Sequence, residues 1–293
     1  MERLRSECIQ CILEKQLRMM PEDTPESEKV EFLQRMFRVF AEAPKEAGAP
    51  LLVRDIDLIK KEMFHIENEY GEIKKYFNEF MMNYEDAIRE KIRESADPLK
   101  AALQFSLVGN YSDFGAMKKV DERELDDLIA HADRYEVDEA EYLSLKADFE
   151  KGGNLLYMTD NCGEIVFDKI FMETVHALYP DLQIAVLLRG EPVLNDATME
   201  DARQVGLDGM FTVCGSGSGV AGVCEEELSE EAKELFNTAD VMIAKGQGNF
   251  ESLRYCGKNI YYIFLCKCDM FANQFQVPKL TGMLISDKNL KQM

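Results

Sequence analysis

Asp160-Asn161-Cys162-Gly163-Glu164 directly follows the apolar run Leu155-Leu156-Tyr157-Met158-Thr159. Carboxylate and amide oxygens thus stand where a buried strand would end, a place that suits a hard cation and penalises uncompensated charge. Four more polar clusters follow apolar runs in the same way. Residues 189–198, containing Asn195-Asp196, follow the run at 184–188; the Gly/Ser loop 215–219 follows 210–213. Lys245-Gly246-Gln247-Gly248-Asn249-Phe250-Glu251 follows 241–244, and Cys266-Lys267-Cys268-Asp269 follows 260–265. In an open parallel sheet all five clusters would share the carboxyl edge, where ligands bind.

Their chemistry is complementary. Asp160, Asn161 and Asp196 offer hard oxygens, and Mg²⁺ or Mn²⁺ takes one or two carboxylates while leaving positions for water and phosphate. Lys245 and Lys267 add positive charge, and the glycines can turn backbone N–H groups toward an anion. A cation, lysines and exposed amides together describe a site that handles phosphoryl groups. Singly, Asp160 and Asp196 read as well as helix caps; with Asn161 and Lys267 alongside, the metal site is the better reading. Glu164 opens a helix and faces the site. Asp168, four residues on, reads equally as a solvated residue. Neither a phosphate-binding P-loop nor the dinucleotide glycine fingerprint occurs. The histidines, His65, His131 and His176, form no triad. Cys162 reads as a small packing residue.

The elements that must position these groups differ between the two halves of the chain. Residues 1–150 hold four of the 18 glycines, and the remaining 143 residues hold the rest. The first half is charge-rich and helical in pattern. Ile56, Ile59, Met63, Ile66, Tyr70, Ile73, Phe77 and Phe80 trace one apolar helix face, and Val30, Leu33, Phe37 and Phe40 another. The second half alternates short apolar runs with helical segments at 165–178 and 230–236, the pattern of strands buried on both faces of a mainly parallel sheet. The expected fold is α/β: an N-terminal helical domain, 1–150, and a C-terminal three-layer α/β/α domain, 151–293, with a mainly parallel sheet.

Composition narrows the function. A net charge of −21 over 293 residues argues against a polymeric nucleic-acid partner. No apolar run is long enough for a membrane span, and no signal segment opens the chain, so a cytoplasmic protein is expected. The eight cysteines then read as free thiols. Cys8-x-x-Cys11 supplies two zinc ligands of the four required. Nothing in the sequence brings Cys266 and Cys268 to it.

The Asp160-Asn161-x-Gly-Glu164, Leu194-Asn195-Asp196-Ala197-Thr198 and Lys245-Gly-Gln-Gly-Asn249-Phe-Glu251 blocks resemble the signature blocks of the damage-control phosphatases, also called domain of unknown function 89. The 109–115 segment resembles a further block that contributes to the site. Cys8-x-x-Cys11 resembles the N-terminal pair of the prokaryotic-type subgroup, and Lys267 matches a lysine after the last core strand. The resemblance implies a metal-dependent phosphatase acting on small phosphorylated metabolites, sugar phosphates or cofactor-related phosphates. It implies a divalent cation (Mn²⁺, Mg²⁺, Ni²⁺ or Co²⁺) on Asp160, Asn161 and Asp196. It places Asn110, Lys245, Asn249, Glu251 and Lys267 around the substrate. Asp160, Glu164 and Lys267 are the expected catalytic groups, with Glu164 or Glu251 orienting the water. A non-catalytic metal and phosphometabolite binder is the alternative. Carboxyl methyl transfer, a description also given to family members, ranks below it because no cofactor motif supports it. Substrate, native metal and oligomeric state are left open.

Overall fold

A computed structural model describes residues 4–44, 47–65, 70–111 and 122–290. Part of the 109–115 block, residues 112–115, therefore lies outside the described residues, as does Ile66. Helices fill the first half: α1 (Ser6–Arg18), α2 (Glu26–Glu42), α3 (Ala49–Phe64), α4 (Tyr70–Met82), α5 (Glu85–Glu94), α6 (Pro98–Tyr111), α7 (Glu122–Ala130) and α8 (Glu139–Glu150).

The second half alternates. Strands β1 (Gly153–Met158), β2 (Leu182–Leu188) and β3 (Thr212–Gly215) are followed by β4 (Val241–Lys245), β5 (Ile260–Leu265) and β6 (Gly282–Ser286). Between them lie α9 (Glu164–Leu178), α10 (Met199–Gln204), α11 (Glu230–Thr238), α12 (Gly246–Leu253) and α13 (Asp269–Phe275). The order across the sheet is β3-β2-β1-β4-β5-β6. The first five strands are parallel and β6 pairs antiparallel with β5.

This order places β2 and β3 to one side of β1, and β4, β5 and β6 to the other. Chains leaving the carboxyl ends of β1 and β4 therefore diverge and open a crevice, the topological switch point of a doubly wound sheet. Alternate residues of each strand face opposite layers. Leu155, Tyr157, Val186, Ile243 and Ile263 join one buried cluster with α4–α6 and α9; Leu156, Met158, Leu187, Met242 and Phe264 join another with Phe236, Phe250 and Phe271. Three layers result, as expected. A third cluster, centred on Ile12, Phe32, Met36, Leu52 and Ile56, is built by α1–α3 with Met20 and Ala47 from the segments between them.

Three local expectations change. The apolar seam from Ile56 to Phe80 is broken at His65, which ends α3 in the left-handed conformation (φ 52°). On α2, Phe32 and Met36 are the buried pair while Val30 and Phe37 are exposed, because two apolar registers overlap there and packing selects the other one. The third strand begins at Thr212 instead of 210, since a short 3₁₀ turn at Leu207–Gly209 precedes it and leaves Met210 exposed. Strand β6 was not expected from the sequence. No helix of the described residues is long and apolar enough to cross a membrane.

Candidate active site

The carboxyl ends of β1, β2 and β4 deliver the polar groups. Past β1, the chain pairs with the segment after β2: Cys162 N–H donates to Asn195 O (2.8 Å) and Ala197 N–H to Asp160 O (2.7 Å). Asn161 and Asp196 stand opposite one another in this two-residue ladder. The turn before Asp196 uses Leu194 at φ 45°, a conformation that costs a β-carbon-bearing residue about 1 kcal/mol. Neither acid caps a helix. Gly163 precedes α9 with no side-chain cap, and Thr198 forms a capping box with Asp201 ahead of α10. The oxygens of Asp160 and Asp196 are therefore held for something other than helix ends.

A buried guanidinium stands between them. Arg189, the first residue after β2, is 1% exposed. Its Nε donates to Asp196 Oδ2 (2.6 Å), its Nη1 to Asn249 Oδ1 (3.0 Å) and Gly222 O (3.1 Å), and its Nη2 to Asp160 Oδ1 (3.4 Å). Asn249 in turn donates to Thr159 O (3.0 Å) and Lys245 O (2.7 Å), tying α12 to the ends of β1 and β4. Gly246 allows the close approach: at φ 79°, a β-carbon there would lie 2.0 Å from Asp160 Oδ2.

Behind Asp160 lies a second charged layer with no exposed side chain. Lys245 Nζ contacts Glu164 Oε1 (2.8 Å), Asp168 Oδ1 (2.6 Å) and Ser106 Oγ (2.7 Å). Glu164 accepts from Asn110 Nδ2 at both oxygens (3.0 and 2.9 Å) and from Asn161 Nδ2 at Oε2 (3.0 Å). Both amides also reach Asp160 Oδ2, Asn161 at 2.8 Å and Asn110 at 3.3 Å. Asn110 Oδ1 accepts from Leu265 N–H (3.0 Å), so its whole amide is committed inward.

Burial, then the neighbouring Asp196 and Glu164, push the Asp160 carboxyl well above the usual range; Arg189 and Lys267 act against this. Lys267 is thereby within electrostatic reach of Asp160, and its N–H donates to Gln247 Oε1 (3.1 Å). Gln247 Nε2 donates to Glu251 Oε1 (2.6 Å), so Glu251 is linked to the Lys267 segment and not to the carboxylate cluster. Asp168, read from sequence as equally well solvated, is fully buried, and burial pushes it up to about 6 against the pull of Lys245.

The donor set suits a small hard cation. Asp160, Asp196, Glu164 and Asp168 bring four carboxyl groups near two buried cations, Arg189 and Lys245. Lys267 adds a third positive charge within electrostatic reach of Asp160. Among the described residues no group of three or more His, Cys, Asp or Glu side chains converges as a metal site. Two carboxylates plus an asparagine amide correspond to the sparse oxygen sets of Mg²⁺ and Mn²⁺. None of the described cysteines is in a disulfide. Cys8 is raised by burial and senses Glu251 and Cys268, which brings α1 near the 266–268 segment, a proximity the sequence did not reveal.

A cavity of about 630 Å³ opens at the same sheet edge, lined by Leu194, Glu191 and Gly217–Gly219 on one side and Arg54 and Lys60 of α3 on the other. Arg54 is paired with Glu227 and Asp55, and Lys60 with Asp57. The cavity begins two residues from Asp196 and does not include Asp160 in its lining.

The profile of the "Damage-control phosphatase ARMT1-like domain" matches residues 4–281. The chain belongs to this family. The damage-control phosphatase of Pyrococcus horikoshii is 31% identical over 76% of this chain and 75% of its own length. One from Archaeoglobus fulgidus is 31% identical over 74% and 75%. An uncharacterised protein of Methanocaldococcus jannaschii is 30% identical over 94% of this chain and 92% of its own. The crystal structure of a family protein from Pyrococcus horikoshii superposes with a TM-score of 0.82 at 25% identity, covering 97% of this chain and 99% of that one. The family expected from the signature blocks, and with it the phosphatase class of activity, is the one the comparisons return. Within this damage-control phosphatase fold, Arg189 and Ser106 are the site neighbours that sequence reasoning did not single out. The available signal for Arg189 was its position: like Asp160, it is the first charged residue after an apolar strand.

Proposed function

We propose that this protein is a divalent-metal-dependent phosphatase that hydrolyses small phosphomonoesters at the β1/β4 crevice. The observation that carries the reading is that Asp160 and Asp196 share one buried guanidinium at the switch point, with Asn161 opposite Asp196 in the backbone bridge and its amide on Asp160. The cation these residues would hold supplies Lewis-acid polarisation of a phosphoryl oxygen.

The chain's own groups do the rest. Lys267 offsets negative charge on the transferring phosphoryl oxygens. Arg189 and Asn249 fix Asp196 and the β1 end so that the oxygens need no rearrangement on binding. Asn110 and Lys245, expected to touch substrate, act from beneath, since their polar atoms are committed to Glu164, Asp160, Asp168 and Leu265 N–H. Glu251 acts through Gln247 on the Lys267 segment. The cavity beside Leu194 takes the organic part of the ester; its volume lies in the range of small-molecule pockets, roughly 300–1,000 Å³. Arg54 and Lys60 there favour a polar, oxygen-rich substrate body. A cytoplasmic setting accompanies this reading, because phosphorylated metabolites and free thiols both belong there.

The test is phosphate release from a panel of phosphomonoesters with Mn²⁺ or Mg²⁺. Turnover by the wild type, and a loss of at least about 100-fold in kcat/KM for both Asp160→Ala and Asp196→Ala, is the expected result. Binding of the esters without turnover would instead identify a non-catalytic phosphometabolite binder.

A further inference from the structure

Resting on the cation-site reading above, the geometry points to Glu164 as a positioning residue that, anchored by Lys245, fixes which way the amides of Asn161 and Asn110 face. A carboxylate only accepts hydrogen bonds, so an asparagine amide pressed against two carboxylates must present nitrogen to both. Asn161 Nδ2 lies 2.8 Å from Asp160 Oδ2 and 3.0 Å from Glu164 Oε2. Its planar amide therefore turns the carbonyl oxygen, the only atom of that group able to ligate a hard cation, away from the acids. Asn110 repeats the logic: nitrogen to Glu164 and Asp160, oxygen to Leu265 N–H.

Glu164 stays in place because Lys245 is pinned on its far side by Asp168 and Ser106. The chain of contacts runs from Asp168 through Lys245 and Glu164 to the two amides and ends on Asp160. Glutamine at position 164 would break this logic without changing shape. Its oxygen must accept from Lys245, which contacts Oε1 at 2.8 Å. Its NH₂ then faces Asn110 Nδ2, Asn161 Nδ2 and the Asn161 N–H, which approach Oε2 at 2.9, 3.0 and 3.4 Å. Donor meets donor, and the Asn161 amide is pushed off position 164 while Asp160 Oδ2 still draws its nitrogen (2.8 Å), so the carbonyl oxygen is no longer held in one direction. The substitution leaves Lys245 and Asp168 as a balanced pair, so the fold is expected to survive.

The experiment is calorimetric titration of metal-free wild type, Glu164→Gln and Asn110→Ala with MnCl₂, alongside thermal melts in EDTA. Glu164→Gln is expected to melt within a few degrees of the wild type yet bind Mn²⁺ about 10- to 100-fold more weakly, the usual loss when a group orienting a metal ligand is removed. Asn110→Ala is expected to weaken Mn²⁺ by about 10-fold, the low end of that range. A folded Glu164→Gln protein with wild-type Mn²⁺ affinity overturns the proposal. Should that variant not fold, wild-type affinity in Asn110→Ala overturns it equally. Absence of Mn²⁺ uptake by the wild type overturns the cation-site reading itself, and the positioning role with it.

Discussion

The site contains two buried cations, each set between two carboxylates, and the two are built for different ends. Arg189 lies between Asp160 and Asp196 and spreads its planar fork over Asn249 and Gly222 as well. Lys245 lies between Glu164 and Asp168 and adds Ser106. The arginine arrangement borders the crevice, where the Asp160 side chain keeps 14% exposure. The lysine arrangement is sealed, with both of its carboxylate partners at 0%. A delocalised guanidinium satisfies several fixed acceptors at once, whereas an ammonium is a compact charge that can be enclosed completely. The difference separates a layer that chemistry can reach from a layer that holds it in place.

That contrast can be broken by removing each cation in turn. Lys245→Met strands two buried carboxylates, and a loss of about 3–5 kcal/mol is expected in urea unfolding. Added Mn²⁺ should recover little of it, because Glu164 and Asp168 are shut off from the crevice. Arg189→Met should cost less, and saturating Mn²⁺ should recover part of the loss, because a cation in the crevice can offset Asp160 and Asp196. Equal rescue of the two variants would dissolve the distinction between the layers.

A smaller effect sharpens the same comparison by pH. Burial pushes Asp168 up to about 6, against about 4 in an unfolded chain. Between those values the folded state binds more protons than the unfolded state, so this group makes stability fall as pH rises through the window. Asp168→Asn removes that titration. The decline in stability from pH 4 to 6 should become shallower by up to about 1.4 kcal/mol per pH unit, measured by chemical unfolding at each pH. An unchanged slope would show that Asp168 is not a titrating member of the sealed layer.

How much of this was legible in the sequence follows from what sequence patterns encode. That Asp160, Asn161 and Asp196 meet at the carboxyl edge of the sheet was legible because polar residues stood directly after apolar strands. Asp168 was not, since a carboxylate four residues into a helix has the same local pattern whether it faces water or Lys245, and Lys245 is 77 positions away. Lys245 and Asn110 were expected around the substrate, and their depth was not legible, because burial beneath Asp160 depends on how α6 packs on α9 and β5. Strand β6 escaped notice because its apolar stretch is short and its pairing is antiparallel at the sheet edge, with half-buried residues at alternate positions. The break at His65 was hidden by an apolar periodicity that continues across it.

The most direct test of the central claim is the metal requirement of turnover. Protein stripped of metal in EDTA and returned to metal-free buffer should release no phosphate from phosphomonoesters, and Mn²⁺ or Mg²⁺ should restore release in the wild type while leaving Asp160→Ala and Asp196→Ala inactive. Full phosphatase activity in EDTA would contradict the account.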